Sequence, residues 1–403
     1  MDFIALAEKS LAASRRNGYI WEIKSFNGEG RKPKGRMKPL CREVFQYHIS
    51  LTLVDLTRIS RAVSGMLKVG ALKDSSVHVK LSEKLFWNKD GSHLLSLSSD
   101  NIIKIAELQP PPSSHTLKVV ATIPYPSPVK HLACSPVDRS KFVIVGDEKH
   151  IVIWDFALLR AVAKIAVPMG NNLDVVWSPN GHFIAISNES EHVGVIDVTS
   201  STFLKKMKHQ TNQVRCMAWT FNSDYLLLGT GSLNADSAGY LELYSVKQTG
   251  EMALVESLNV HTSYCAQLLI DSSYRLMAIA SADYLVSLWD LEDLICIQTL
   301  SKFDVEVKAL ALSANGKYIA VSTVTGIGVF VYLTQSGEEV AFIECKHGVK
   351  ALAWSTVTNV LAIAADDRPA EEASPGMGAE NDVPRFRDRN PPPPPAITLV
   401  PFE

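Results

Sequence analysis

The chain has 403 residues, of which 46% are apolar and 20% charged, with a formal net charge of −2; that much apolar material can bury a large core and excludes a fibrous chain. No run approaches the roughly 18 apolar residues of a membrane span, and the stretch Phe3 to Ala7 falls short of the roughly 7 to 15 residues of a signal-peptide core. The six cysteines, Cys41, Cys134, Cys216, Cys265, Cys296 and Cys345, stand singly with no C-x-x-C pair, so buried thiols in a reducing compartment, cytosol or nucleus, are expected instead of a disulfide framework.

The near-neutral total hides an asymmetry. Residues 1–65 carry 12 Lys/Arg against 6 Asp/Glu, and the remainder carries 28 against 36. Half of the N-terminal basic residues fall between Arg31 and Arg42, a stretch without an acid. Within it Arg31, Lys32, Lys34, Arg36 and Lys38 form a candidate nuclear-localisation cluster; a nucleic-acid contact or a solvated arm are the alternatives. Gly18 to Lys38 is polar and rich in Gly and Pro, and Glu43 to Leu56 has no clean helical or strand period. Residues 1–65 therefore read as a basic, flexible extension.

From residue 66 onward one phrase returns: a short apolar strand ending in Trp or its stand-in, a polar turn, then another apolar strand. The anchors are Trp87, Cys134, Trp177, Trp219, Leu269, Leu312 and Trp354, separated by 47, 43, 42, 50, 43 and 42 residues. A period in that range is that of propeller blades, so residues 66–403 are expected to form an all-β, seven-bladed propeller. Repeat one runs from Glu83 to Leu108 and is followed by the loop Pro110 to Ser114; repeat two ends in Ile153-Trp154-Asp155. Repeat three shows the unit most clearly. Leu173 to Trp177 is a strand, Ser178-Pro179-Asn180-Gly181 a turn, His182 to Ser187 the returning strand, Val193 to Val198 a third and Phe203 to Met207 a short fourth. Pro and Gly in the turn supply the fixed and the permissive φ that a tight reversal needs. Repeat four carries an insertion, Gly231 to Gly239, which accounts for the longest gap.

Repeat five has the most regular ending, Ser281 to Asp290. Trp154-Asp155 and Trp289-Asp290 are WD dipeptides, so the propeller is of the WD40 type. In such repeats a loop His, a strand Ser, a turn Asp and the Trp form a buried hydrogen-bond chain; His261, Ser281, Asp283 and Trp289 occupy the matching positions, and the tetrad is expected to fix strand register. A hydrolase triad is the competing reading, but no G-x-S-x-G elbow surrounds Ser281. Repeat six, Leu310 to Leu333, reads Thr323-Val324-Thr325-Gly326-Ile327 where a turn Asp is expected. Repeat seven is interrupted: Asp366 to Pro395, ending in the run Pro391 to Pro395, has too little apolar material for a core and reads as a disordered loop before Ile397 to Val400. The proline run also fits an SH3 or WW ligand. The last blade then lacks one strand, and an N-terminal segment within Gly65 to Leu72 is expected to close the ring.

No H-E-x-x-H, glycine-rich phosphate loop, paired Cys/His ligands or nucleophile elbow occurs, so no catalytic, metal or cofactor site is expected and the chain reads as a non-enzyme. Residues 66–365 carry 24 Lys/Arg against 28 Asp/Glu with no basic stripe interleaved with aromatics, so direct RNA contact is expected only through the arm.

The stretch Ser281 to Cys296 is similar to S-A-D-x-L-V-S-L-W-D-x-x-x-L-x-C of the WD-repeat third subunit of the THO complex, and residues 77 to 367 resemble that family. Val175 to Val198, with W-S-P-x-G and a terminal I-D, and Val349 to Asp367, with an A-W strand and Asp366-Asp367, support it. Repeat six and the first 65 residues depart from it. The resemblance implies a nuclear, non-catalytic scaffold subunit of THO, within the TREX assembly that couples transcription and mRNA processing to mRNA export. Its implied partners are other THO subunits, chiefly the large helical scaffold subunit, and indirectly a DEAD-box RNA helicase and an export adaptor, with no membrane. A WD40 chromatin reader and a ubiquitin-ligase substrate receptor are the rival readings.

Overall fold

The computed structural model describes residues 72–74, 82–109, 117–209, 213–232, 238–324, 328–345, 348–365 and 396–402. The proposed extension and its basic cluster, the Pro110 to Ser114 loop, the centre of the repeat-four insertion and the segment 366–395 lie outside them. All regular structure among the described residues is strand, arranged in seven four-stranded sheets. The fold is a seven-bladed β-propeller.

Blade one comprises Ser82–Trp87, His93–Ser98, Ile102–Leu108 and Leu117–Pro124, and blades two to six repeat this antiparallel meander in chain order. In blade three the strands are Asn172–Trp177, Phe183–Asn188, His192–Asp197 and Thr202–Lys208, joined by a turn in which Gly181 takes φ 74°. Every residue of Phe183–Asn188 is buried, because the second strand is covered on both faces by neighbouring blades, whereas Thr202–Lys208 is largely exposed and carries three lysines. Charge on an outermost strand discourages edge-to-edge pairing with another sheet.

Blade seven joins the two ends of the described chain. Val349–Trp354, Val360–Ala365 and Ala396–Pro401 are completed on the outside by Leu72–Asp74, with Leu72 opposite Leu399 and Asp74 opposite Ile397. The described part of the closing strand meets the expected segment at Leu72, and the rest of that segment lies outside the described residues. The seam between blades seven and one is packed as a core: Leu85, Trp87 and Leu94 lie against Ala353, Ala362 and Leu399. The Trp87 indole Nε1 donates to the Ala353 carbonyl at 3.1 Å, and the Thr356 hydroxyl donates to the Asn88 carbonyl at 2.8 Å. Trp219 repeats the device at the seam between blades three and four, donating to the Val176 carbonyl at 3.3 Å. The periodic Trp therefore ties each such blade to the one before it. Trp177 and Trp354 keep the position without that bond; Trp354 stacks on Tyr318 with centroids 6.0 Å apart.

In all seven blades the pairing of the first and second strands slips at one equivalent place: Ser82/Lys84, Val129/His131, Asn172/Asp174, Val214/Cys216, Cys265/Gln267, Val307/Ala309 and Val349/Ala351. A bulge adds one residue to one strand and re-aims its side chains. Repeated around the axis, it decides what lines the channel.

Candidate functional site

In blade five His261, at the end of the strand Met252–His261, approaches the Asp283 carboxylate with Nδ1 at 3.1 Å and the Ser287 hydroxyl with Nε2 at 2.8 Å. The Trp289 indole donates to the same hydroxyl at 2.7 Å. A carboxylate only accepts, so Nδ1 carries the imidazole proton, Nε2 accepts from Ser287, and Ser287 accepts from Trp289. Burial alone would raise the Asp283 carboxyl; the hydrogen bonds from His261, the Thr262 amide at 2.9 Å and Ser281 outweigh it and hold the group below its ordinary value. The four tetrad residues are gathered in one place, with one correction: the bridge is Ser287 on the third strand. Ser281 accepts from the Asp283 amide at 3.3 Å and donates to the Ser263 carbonyl at 3.2 Å, beside the relay and not within it.

The WD aspartates close the turns to the fourth strand. Asp155 Oδ1 accepts from the Ala157 and Leu158 amides at 2.9 and 3.2 Å, and Asp290 Oδ1 from those of Glu292 and Asp293 at the same distances. This is an Asx turn, which a short carboxylate makes with its own backbone. The Trp154 indole N–H has no hydrogen-bond partner. A second relay went unpredicted. In blade four His209 Nε2 lies 2.7 Å from the Glu242 carboxylate, which also accepts the Tyr244 hydroxyl at 3.1 Å, and all three residues are buried. Burial and the adjacent Glu242 charge raise the Tyr244 phenol well above its ordinary value. Its signal is a His ahead of the first strand with a polar-x-aromatic pair on the third, as in His261, Ser287 and Trp289.

The channel opens differently at its two ends. At the bulge end a cavity of about 370 Å3 is lined from every blade and includes Lys84, His131, Asp174, Arg215, Lys308 and Lys350. His131 Nδ1 and Asp174 Oδ1 are 3.6 Å apart, within ion-pair range when the imidazole is protonated. Burial, then the charge of Lys84, pushes His131 well below the usual imidazole value, and burial raises the Asp174 carboxyl. Cys216 lines the same wall and Cys134 lies beside the opposite end; burial raises both thiols, that of Cys134 to about 12, so neither is a thiolate nucleophile. Among the described residues no disulfide joins any two of the five cysteines, and no cluster of three metal-ligating side chains occurs.

At the turn end a second cavity of about 400 Å3 has apolar walls that include Pro136, Trp177, Trp219, Leu269 and Tyr274. Around it the turns present Phe221, 73% exposed, with Val137 and Val357 also exposed. Phe221 sits edge-on to Tyr274 at 5.4 Å. Aromatic side chains left in solvent around an apolar concavity mark a contact surface.

Residues 162–222 match the WD40 domain of anaphase-promoting complex subunit 4. The chain is 26% identical over 293 residues to THO complex subunit 3 of Arabidopsis thaliana, covering 72% of this chain and 88% of that protein. It is 27% identical over 312 residues to the WD repeat-containing protein AAC3 of Dictyostelium discoideum, covering 72% of this chain and 63% of that one. Among solved structures it is similar to the Cps50 (Swd1) β-propeller domain of Myceliophteria thermophila, with a TM-score of 0.62 at 15% identity over 73% of this chain and 96% of that one. That likeness concerns the fold alone. The chain is a WD-repeat β-propeller, and its resemblance to the third THO subunit extends over most of its blades.

Proposed function

We propose that this WD-repeat propeller, similar in sequence to the third THO subunit, serves as a non-catalytic interaction subunit of a nuclear THO-type assembly that couples transcription and mRNA processing to mRNA export. The observation that carries the reading is the extent of the likeness: 88% of the Arabidopsis subunit is covered, so the resemblance takes in most of a ring and not one generic repeat. In this reading residues 66–403 are the propeller and residues 1–65 a basic arm, in which Arg31, Lys32, Lys34, Arg36 and Lys38 direct nuclear import. The tetrad and both WD dipeptides hold the blades in register. The apolar end of the channel is the surface that fits an apolar segment of the large helical scaffold subunit, with Phe221 as the anchor; a DEAD-box helicase and an export adaptor join indirectly. Binding of this kind draws its energy from a few desolvated aromatic anchors within a wide contact.

Affinity purification of the tagged full chain from nuclear extract, followed by mass spectrometry, tests the assignment. The large THO subunit and the helicase are the expected partners. Recovery of histone tails or of cullin adaptors in their place overturns the reading in favour of a chromatin reader or a ligase receptor.

A further inference from the structure

The cavity at the bulge end gathers positive charge from several blades. Lys84, Arg215, Lys308 and Lys350 line it, and Asp174 is the one carboxylate residue among the described residues that line it. The cations come from blades one, four, six and seven, so they surround the axis. A purely structural lysine at this level is paired: Lys130, bypassed by the bulge of blade two, meets Asp147 at 3.7 Å. Lys308 and Lys350, bypassed by the bulges of blades six and seven, are exposed. Asp174, whose carboxyl accepts the Val175 amide at 2.8 Å, offsets part of that charge, and four cations against one carboxylate leave the lining net positive.

Arg215 is the most telling member. Its guanidinium lies 5.0 Å from the centre of the Tyr264 ring, and the Tyr264 hydroxyl is held by Glu306 at 2.7 Å, which fixes the stack. Nε and Nη2, the two donors of one guanidinium edge, are shut off from solvent and have no hydrogen-bond partner. Unpaired buried donors need an explanation, and this edge matches two oxygens of a single oxyanion. Gln267 adds a neutral donor: its Oε1 accepts the Leu310 amide at 2.9 Å, which leaves the amide NH2 for another acceptor. The cavity of about 370 Å3 is roughly twelve times the ~30 Å3 share of one water, so it has room for more than an inorganic phosphate.

We propose that this axial cavity is a binding site for a small, multiply phosphorylated anion, with Arg215 as the bidentate anchor and Lys84, Lys308 and Lys350 supplying the surrounding charge. The claim is independent of the assembly to which the propeller belongs.

Isothermal titration of the full chain with inositol hexakisphosphate at about 0.15 M salt, where remote charges are screened, tests it. Saturable one-to-one binding is expected, weakened about tenfold or more by Arg215→Gln and by the pair Lys308→Gln with Lys350→Gln, since each removes charge-assisted bonds. The lysine pair is exposed, so its replacement leaves the fold intact even where Arg215→Gln does not. Replacing Arg31, Lys32, Lys34, Arg36 and Lys38 by Gln is expected to leave the affinity unchanged. Absence of saturable binding overturns the proposal, as does equal affinity in the lysine-pair variant or loss confined to the arm variant. A single-stranded RNA oligonucleotide that binds more tightly and depends on the same cavity residues also overturns it, in favour of a nucleic-acid contact.

Discussion

Replacing Ser287 by Ala separates the relay seen in blade five from the tetrad that spacing alone suggests. Ser287 is 2% exposed and makes the 2.8 Å bond to His261 and the 2.7 Å bond from Trp289. Its loss leaves a buried indole N–H and a buried imidazole nitrogen without partners, each costing about 1–3 kcal/mol, and about 2–4 kcal/mol together once partial relaxation is allowed. The propeller from Leu72 to Phe402 spans about 330 residues, and an unfolding entropy of about 2.1 cal/mol/K per residue converts that loss to a melting temperature about 3–6 °C lower. Ser281→Ala removes only the two long bonds at 3.2 and 3.3 Å, so about 1 kcal/mol and a shift of about 1–2 °C are expected. Differential scanning calorimetry of both variants decides. A Ser281→Ala shift equal to or larger than that of Ser287→Ala refutes the assignment of Ser287 as the bridge.

Four further outcomes follow from the same geometry. The folded Asp283 carboxyl is held below its ordinary value, so the stability it contributes is present above the unfolded value of about 3.9 and is lost as pH falls through the folded one; Asp283→Asn should lower the melting temperature at neutral pH and flatten the acid limb of its pH profile. His131 is held well below the usual imidazole value, so the unfolded chain takes up a proton first and stability should decline as pH drops below about 6.5; His131→Gln should remove that slope, measured as melting temperature between pH 5 and pH 8. Glu242→Ala strips His209 and Tyr244 of the carboxylate they share and should cost about 3–5 kcal/mol, read from denaturant unfolding. Phe221→Asp lies on an exposed turn and should change stability by no more than about 0.5 kcal/mol while abolishing recovery of the large THO subunit in affinity purification; retention of that partner counts against the apolar mouth as the docking surface.

The blades were legible because their determinants are local. Pro179 and Gly181 mark a reversal, and the unbroken apolar run of Phe183–Asn188 marks a strand covered on both faces. The bridge in blade five was misassigned because spacing does not say which way a side chain points. Alternation does: Ser287 and Trp289 are two apart on one strand and share a face, whereas Ser281 lies opposite Cys265 at the end of its own strand. The relay of blade four hid behind a Glu and a Tyr that read as ordinary polar residues in Leu241-Glu242-Leu243-Tyr244, although they have the same two-residue separation. The charged cavity was illegible for a different reason. Lys84, Arg215, Lys308 and Lys350 are far apart in the chain and form no stripe, and a bulge shifts strand parity by one residue, so neither charge runs nor alternation gathers them.

Comparing the seven bulges separates what the fold demands from what it leaves open. Blades three to seven each bring one polar and one apolar or small residue to consecutive bulge positions, but not in the same order. Blades three and five place Leu173 and Ala266 first, then Asp174 and Gln267; blades four, six and seven place Arg215, Lys308 and Lys350 first, then Cys216, Ala309 and Ala351. Either order keeps the blade packed, because one small or apolar side chain per blade suffices against its neighbour. The order instead sorts charge along the axis: all three cations occupy the bypassed position, and Asp174 and Gln267 stand one residue further along the strand. A ring built only for packing has no reason to put every cation of these five blades at one level and its carboxylate at another. Arg215, Lys308 and Lys350 thus meet an anion at one level, while Lys84, which follows its own bulge as Asp174 does, sets its charge against that carboxylate one residue further along the strand.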